Sequence, residues 1–106
     1  MNPKVIDLSH YDDVTDRLAG AKHFGIRGVI HKCTEGGIVD PLYTIRRQYA
    51  QEQGLLWGAY HFIRPGNVGD QVSAFLRHAD PDPNTLLALD YEDGNVNLNK
   101  DRKSVV

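Results

Sequence analysis

A chain of 106 residues holds one domain at most, with a core of modest size. Its composition, 41% hydrophobic and 25% charged, is ordinary for a globular protein, and a net charge of −2 with mixed signs offers no basic stripe for nucleic acid. The single cysteine, Cys33, excludes an internal disulfide framework, and no apolar stretch approaches the ~20 residues of a membrane-spanning helix, so no membrane insertion is expected.

Four strand-like runs alternate with three helix-like runs. The first strand is Val5-Ile6-Asp7-Leu8-Ser9. A helix is predicted over about Asp13 to Phe24, capped by Asp12 or Asp13, with Val14, Leu18, Ala21 and Phe24 inward and Gly25 beyond its end. The second strand spans Gly28 to Thr34, and Cys33 within it reads as a buried, inert thiol. Asp40 and Pro41 open a second helix as cap and first helical residue, and Leu42, Ile45, Tyr49 and Gln53 trace its inner side as far as Gly54. Leu55 to Ile63 forms the third strand. The connection Gly66-Asn67-Val68-Gly69 lacks the Lys-Ser/Thr of a phosphate loop. A third helix runs from about Asp70 to Ala79, with Val72, Phe75, Leu76 and Ala79 apolar, and Pro81 and Pro83 prevent its continuation. Thr85 to Tyr91 is the fourth strand.

This β-α-β-α-β-α-β order predicts an α/β fold with parallel strands and right-handed crossovers. After residue 93 the text becomes turn-rich and then aperiodic, so residues 1–93 are read as the folded unit and 94–106 as a divergent or truncated C-terminal tail. In such folds function collects at the C-terminal ends of the strands. The polar residues there are Asp7 and Ser9, then Lys32, Thr34 and Glu35, then Tyr60, His61 and Arg64, and finally Asp90 and Glu92. An Asp inside the first strand is costly to desolvate unless a partner or a function compensates.

Leu89-Asp90-Tyr91-Glu92 carries two carboxylates at i and i+2. On a strand both point to one face with Cα atoms roughly 6.5 Å apart. Two like charges that close keep one protonated near neutral pH more readily than the other, which is what a general acid beside a stabilising carboxylate requires. The histidines have no metal-ligand spacing with acidic or Cys partners, so no metal and no cofactor is expected.

Four segments in register resemble one family. Val5-Ile6-Asp7-Leu8-Ser9, Ile30-His31-Lys32-Cys33-Thr34-Glu35-Gly36, Gly54-Leu55-Leu56-Trp57-Gly58-Ala59-Tyr60-His61-Phe62 and Leu87-Ala88-Leu89-Asp90-Tyr91-Glu92 are similar to the glycoside hydrolase family 25 lysozymes, the Chalaropsis-type muramidases. The resemblance implies the first four strands of an irregular TIM-like (β/α) barrel, a parallel half-barrel. It also implies cleavage of the β-1,4 bond between N-acetylmuramic acid and N-acetylglucosamine in peptidoglycan, with retention through the substrate's acetamido group. Glu92 matches the family's general acid, Asp90 the carboxylate that positions or stabilises the acetamido group, and Asp7 the acidic residue of the first strand. Tyr60, Phe62, Tyr91 and Glu35 are the candidate groove residues. For Phe62 and Trp57 core packing is the competing reading, and for Tyr60 both readings stand. Because the family uses no catalytic His or metal, the resemblance implies that His61 is a hydrogen-bonded structural residue, and Lys32 with Glu35 is expected as an ion pair beneath the groove.

The resemblance covers the first half of the family's barrel. Four parallel strands alone leave two open edges and a wet inner face, which predicts a homodimer closing through edges or half-barrel faces. The alternative function is a catalytically impaired half-barrel that binds carbohydrate or self-associates. Met1-Asn2-Pro3-Lys4 has no signal-peptide core. The expected location is therefore cytoplasmic until release, as for a phage endolysin, or outside the cell with the signal removed.

Overall fold

The computed structural model describes residues 4–12, 15–91 and 102–105. Its strands are β1 (Lys4–Leu8), β2 (Ile26–Glu35), β3 (Ile38–Val39), β4 (Leu56–Phe62), β5 (Leu86–Tyr91) and β6 (Arg102–Val105). A 3-10 segment (Thr15–Phe24) follows β1, and two α-helices, α1 (Tyr43–Glu52) and α2 (Val68–Ala79), precede β4 and β5. The sheet order is β1-β2-β4-β5-β6, with β3 also paired to β2. The contacts β1–β2, β2–β4 and β4–β5 are all parallel, as the alternation of elements predicts, while β3 and β6 pair antiparallel. This is the mixed α/β half-barrel expected from the sequence.

Strand alternation divides the sheet into two faces. Ile6 and Leu8, Val29 and Cys33, Trp57 and Ala59, and Leu87 and Leu89 turn toward the helices and meet Leu18, Ala21, Tyr43, Ala50, Phe75 and Ala79 in one apolar core. Cys33 is buried there, and burial pushes its thiol up to about 12, as expected for an inert packing residue. The opposite, inner face carries Asp7, Lys32, Tyr60, Phe62 and Asp90 toward the C-terminal ends. At the N-terminal ends Val5, Ile30, Leu56 and Leu86 line an apolar trough of about 160 Å³.

The helices depart from the predicted faces. The first is a 3-10 segment in which Leu18 and Ala21, three residues apart, are both buried, matching a three-residue turn. Phe24 is exposed, set edge-on against His23 just before the Gly25 turn. Val14 and Asp13 lie outside the described residues. On α1 the buried side is Tyr43, Arg46 and Ala50, and Ile45 faces solvent. The reason is polar: the Tyr43 hydroxyl donates to Ala79 O (2.9 Å) and Arg46 reaches the chain beyond β1, so a Tyr and an Arg occupy what apolarity alone assigns to Leu42 and Ile45. Asp40 accepts from Leu42 N–H (2.9 Å) in the turn before α1, while Leu42 holds the N-cap position with no side-chain cap.

Helix α2 starts at Val68, two residues before the predicted Asp70, because Asn67 caps it by accepting from Asp70 N–H (2.9 Å). Its buried residues are Gln71, Phe75 and Ala79, with Leu76 exposed. Arg47 of α1 donates to Ala79 O (2.7 Å) and Asp80 O (2.9 Å), satisfying carbonyls at the C-terminus of α2.

The segment after residue 93 is not wholly without structure. Strand β6 pairs with β5, with Arg102 opposite Tyr91 and Lys103 opposite Asp90. The β5 edge, expected to be open, is therefore covered. Among the described residues no helix is long and apolar enough to cross a membrane.

Candidate active site

Asp7 sits one residue before the end of β1, and Asp90 one residue before the end of β5. Because every strand between them is parallel, the two carboxylates rise at the same end of the sheet, and alternation puts both on the inner face. Asp7 is exposed, whereas Asp90 is only 4% exposed. Tyr60 lies on β4 between them. Its phenol is pushed above the ordinary tyrosine range, first by burial and then by the charges of Asp7 and Asp90. One hydroxyl thus feels both carboxylates. Tyr60 stands on the groove face rather than in the helix-side core.

Phe62 pairs in register with Asp90 on one side and Glu35 on the other. It is half-buried at the mouth, with the Arg64 guanidinium 5.8 Å from its ring centre, and is not part of the core cluster. The core-packing reading holds for Trp57, which stacks on His31 at 5.7 Å inside the core. Tyr91 ends β5, and Glu92 lies outside the described residues.

Glu35 reaches this face through an irregularity. Lys32 pairs with Tyr60 and Thr34 with His61, so Cys33 is an extra residue on β2. Strict alternation would place Lys32 and Glu35, three residues apart, on opposite faces. The bulge re-aims Glu35, and the Lys32 Nζ–Glu35 Oε1 ion pair closes at 2.7 Å. The expected ion pair is present, with the Lys32 ammonium also 5.0 Å from the Tyr11 ring centre.

Three buried polar clusters hold the mouth and were not evident as units in the sequence. Arg46, 1% exposed, donates to Ser9 O (2.8 Å), Asp12 O and His31 Nε2 (3.1 Å), tying the chain after β1 to α1 and β2. Asp40 accepts from the His10 ring (2.9 Å), His10 N–H (2.9 Å) and Leu42 N–H. Burial would raise the Asp40 pKa, but these hydrogen bonds outweigh it and hold the carboxyl below its usual range. His61 accepts at Nδ1 from the Thr34 hydroxyl (2.7 Å) and donates from Nε2 to Gln71 Oε1 (2.8 Å), the structural role predicted for it. A signal for Arg46 was available: it sits between Tyr43 and Ala50 at spacings of three and four, the period of a buried helix stripe.

Burial lowers the pKa of both His31 and His61, with hydrogen bonds to Lys32 O and to Gln71 and Thr34 offsetting part of the effect. In the unfolded chain these rings take up protons near pH 6.5, while the folded protein resists. The unfolded state then binds more protons, so stability falls as pH drops below about 6.5 toward the lower folded values. The expected result is a urea midpoint that declines steadily from pH 7.5 to 5. A midpoint flat across that range would show that the two rings are not held neutral. Asp40, with its depressed pKa, contributes stability that is lost only below the ordinary carboxylate range, outside this window.

A parallel half-barrel with carboxylates and aromatic side chains gathered at the C-terminal strand ends has the architecture of a glycoside hydrolase barrel. The family model of the glycosyl hydrolases family 25 matches residues 6–106, and the chain belongs to that family. The muramidase from Trichobolus zukalii is 36% identical with a TM-score of 0.75, the match covering 85% of this chain and 46% of that one. The bacterial lysozyme from Streptomyces coelicolor is 27% identical with a TM-score of 0.79, over 94% and 48% of the two chains. The curated protein YegX of Escherichia coli K12, described as uncharacterized, is 35% identical over 108 aligned residues, 94% of this chain and 40% of that protein. The chain thus spans less than half the length of the relatives it matches. Among the described residues no group of three or more His, Cys, Asp or Glu side chains is placed to hold a metal ion.

Proposed function

We propose that this half-barrel acts on peptidoglycan, hydrolysing the β-1,4 bond between N-acetylmuramic acid and N-acetylglucosamine. The carrying observation is geometric: parallel pairing from β1 to β5 brings Asp7, Tyr60 and Asp90 to the inner face at one end of the sheet. Glu92 supplies the proton to the departing glycosidic oxygen. Asp90, buried beside Phe62, steadies positive charge growing on the substrate's acetamido nitrogen as its oxygen attacks the anomeric carbon. Inversion by that attack and a second inversion by water retain the configuration without an enzyme nucleophile, a recognised variant of the two-carboxylate scheme. Asp7 orients the sugar from the opposite rim, and Tyr60 and Phe62 present ring surface to the pyranose faces.

The test is wall lysis by the purified chain with analysis of the new reducing ends. Muramic acid at those ends is the expected product; intact walls would overturn the hydrolase reading, and glucosamine at the ends would overturn the assignment of the bond. A second reading is favoured by the exposed Val5, Leu56 and Leu86 of the inner face. In it the half-barrel binds glycan without turnover, and a second copy covers the apolar trough. Light scattering on the same preparation decides the dimer: a single-chain mass at micromolar concentration removes it.

A further inference from the structure

Beside the strand-end mouth lies a second concavity. The β2–β3 hairpin and the β4–α2 connection enclose a cleft of about 490 Å³, within the size range of small-ligand sites. Glu35 belongs to both the cleft and the mouth, since it lines the one and stands in register with Phe62, which in turn pairs with Asp90. At about 4.8 Å between neighbouring strands, the cleft begins roughly 10 Å from the Asp90 position.

The walls of the cleft are fixed. Gly36 N–H donates to Phe62 O (3.1 Å), locking the hairpin to β4. The Gln71 amide clamps Arg64 at both backbone groups, accepting from its N–H (3.1 Å) and donating to its C=O (2.8 Å). Gly36 and Gly66 both have positive φ, 56° and 132°, so side chains are disfavoured on either wall and the opening stays clear. The Arg64 stem packs where a Cβ on Gly36 would stand, 3.1 Å from its Cγ.

The chemistry of the lining is specific. The Arg64 side chain is half exposed, and its guanidinium donates no hydrogen bond among the described residues. Its nearest acid is Glu35 at 3.8 Å, and that carboxylate is already held by Lys32 at 2.7 Å. A planar donor fork is therefore presented to the cleft with its hydrogen-bonding capacity unspent. Ile38, 71% exposed, supplies an apolar wall. Asp70 also lines the cleft, so an acceptor is present for an amide N–H as well.

We propose that this cleft takes the peptide arm of the glycan, with an arm carboxylate on the Arg64 guanidinium and a small alkyl side chain against Ile38. The inference rests on the glycan reading above and extends it: the ligand is peptide-substituted muramyl glycan rather than bare polysaccharide. In peptidoglycan the arm leaves the muramyl lactyl group as a short peptide bearing methyl groups and carboxylates, which matches one apolar wall and one bidentate cation. A fixed cleft adjoining the sugar groove adds contacts at little ordering cost.

The test compares two ligands on the full chain by calorimetry, with backbone amide shifts as a second readout. One is the N-acetylglucosaminyl-N-acetylmuramyl disaccharide carrying L-alanyl-D-isoglutamine; the other is the same disaccharide with its lactyl carboxyl capped as the methylamide in place of the peptide. The peptide-bearing ligand is expected to bind about tenfold tighter, the scale of one charge-assisted bidentate contact, and to shift Gly36, Gly37 and Asn67. Arg64→Gln should bring the ratio of the two affinities close to one, Arg64→Lys should restore part of the ratio, and Ile38→Asp should weaken the peptide-bearing ligand alone. Equal binding of the two ligands by the parent, or an advantage that survives Arg64→Gln, overturns the arm site and leaves the glycan reading standing. Binding of neither ligand overturns both.

Discussion

Replacing Glu92 by Gln is expected to slow wall lysis by about two to four orders of magnitude, the usual worth of a positioned general acid. Gln is nearly the same size and keeps a carbonyl, but it cannot release a proton to the leaving oxygen. The loss should appear in turnover with little change in glycan binding, because the proton is needed only as the bond breaks. Asp90→Asn separates the two roles. It removes the charge that steadies the acetamido cation, so turnover should also fall, and it removes the like charge that favours protonation of Glu92, so the alkaline limb of the pH profile, where the acid loses its proton, should move to lower pH. The assay is turbidity loss of purified walls across pH for parent and both variants. Lysis by Glu92→Gln at the parental rate would end the proposed mechanism.

Arg46→Met is expected to cost about 3–5 kcal/mol, the penalty for removing one partner from a buried charged network. Methionine fills much of the volume but leaves Ser9 O, Asp12 O and His31 Nε2 without that donor in a buried setting. Set against a total stability of roughly 5–15 kcal/mol for a domain, that loss unfolds a sizeable fraction of the protein. Arg46→Lys keeps the charge and loses the fork, so it should be intermediate. Urea denaturation of the three proteins measures the series; a Met variant within 1 kcal/mol of the parent, on that same scale, would show that the guanidinium is not the tie between β1 and α1. Because Ser9 and Asp12 directly follow the Asp7 strand, the Lys variant should also bind glycan less well than its stability alone implies.

Much of this was legible because it is local. Apolar runs of strand length separated by helix-length segments determined the parallel α/β order, and parallel order by itself puts Asp7 and Asp90 at one end of the sheet. The two-residue strand period then put each on the inner face with Tyr60. The burial of Cys33 and Trp57 and the Lys32–Glu35 pair also followed from residue type and position, while the structural role of His61 came from the family resemblance.

Other features depend on partners distant in the chain, and no local pattern encodes them. The inner side of α1 is Tyr43 and Arg46 rather than Leu42 and Ile45, because their polar tips find acceptors on α2 and beyond β1. The Cys33 bulge is visible only as a register shift between β2 and β4, yet it is what turns Glu35 to the groove. Strand β6 exists through pairing with β5, from a segment with no period of its own. The Arg64 cleft depends on a hairpin, a strand end and a helix start brought together from separate places. The sequence by itself determined which way the strands run and which carboxylates and aromatic residues stand at their C-terminal ends as candidates, since both rest on side-chain identity and short-range period. The tertiary structure decided which polar groups are buried against one another and where a second pocket opens, since those depend on free-energy terms that arise only when distant backbone meets.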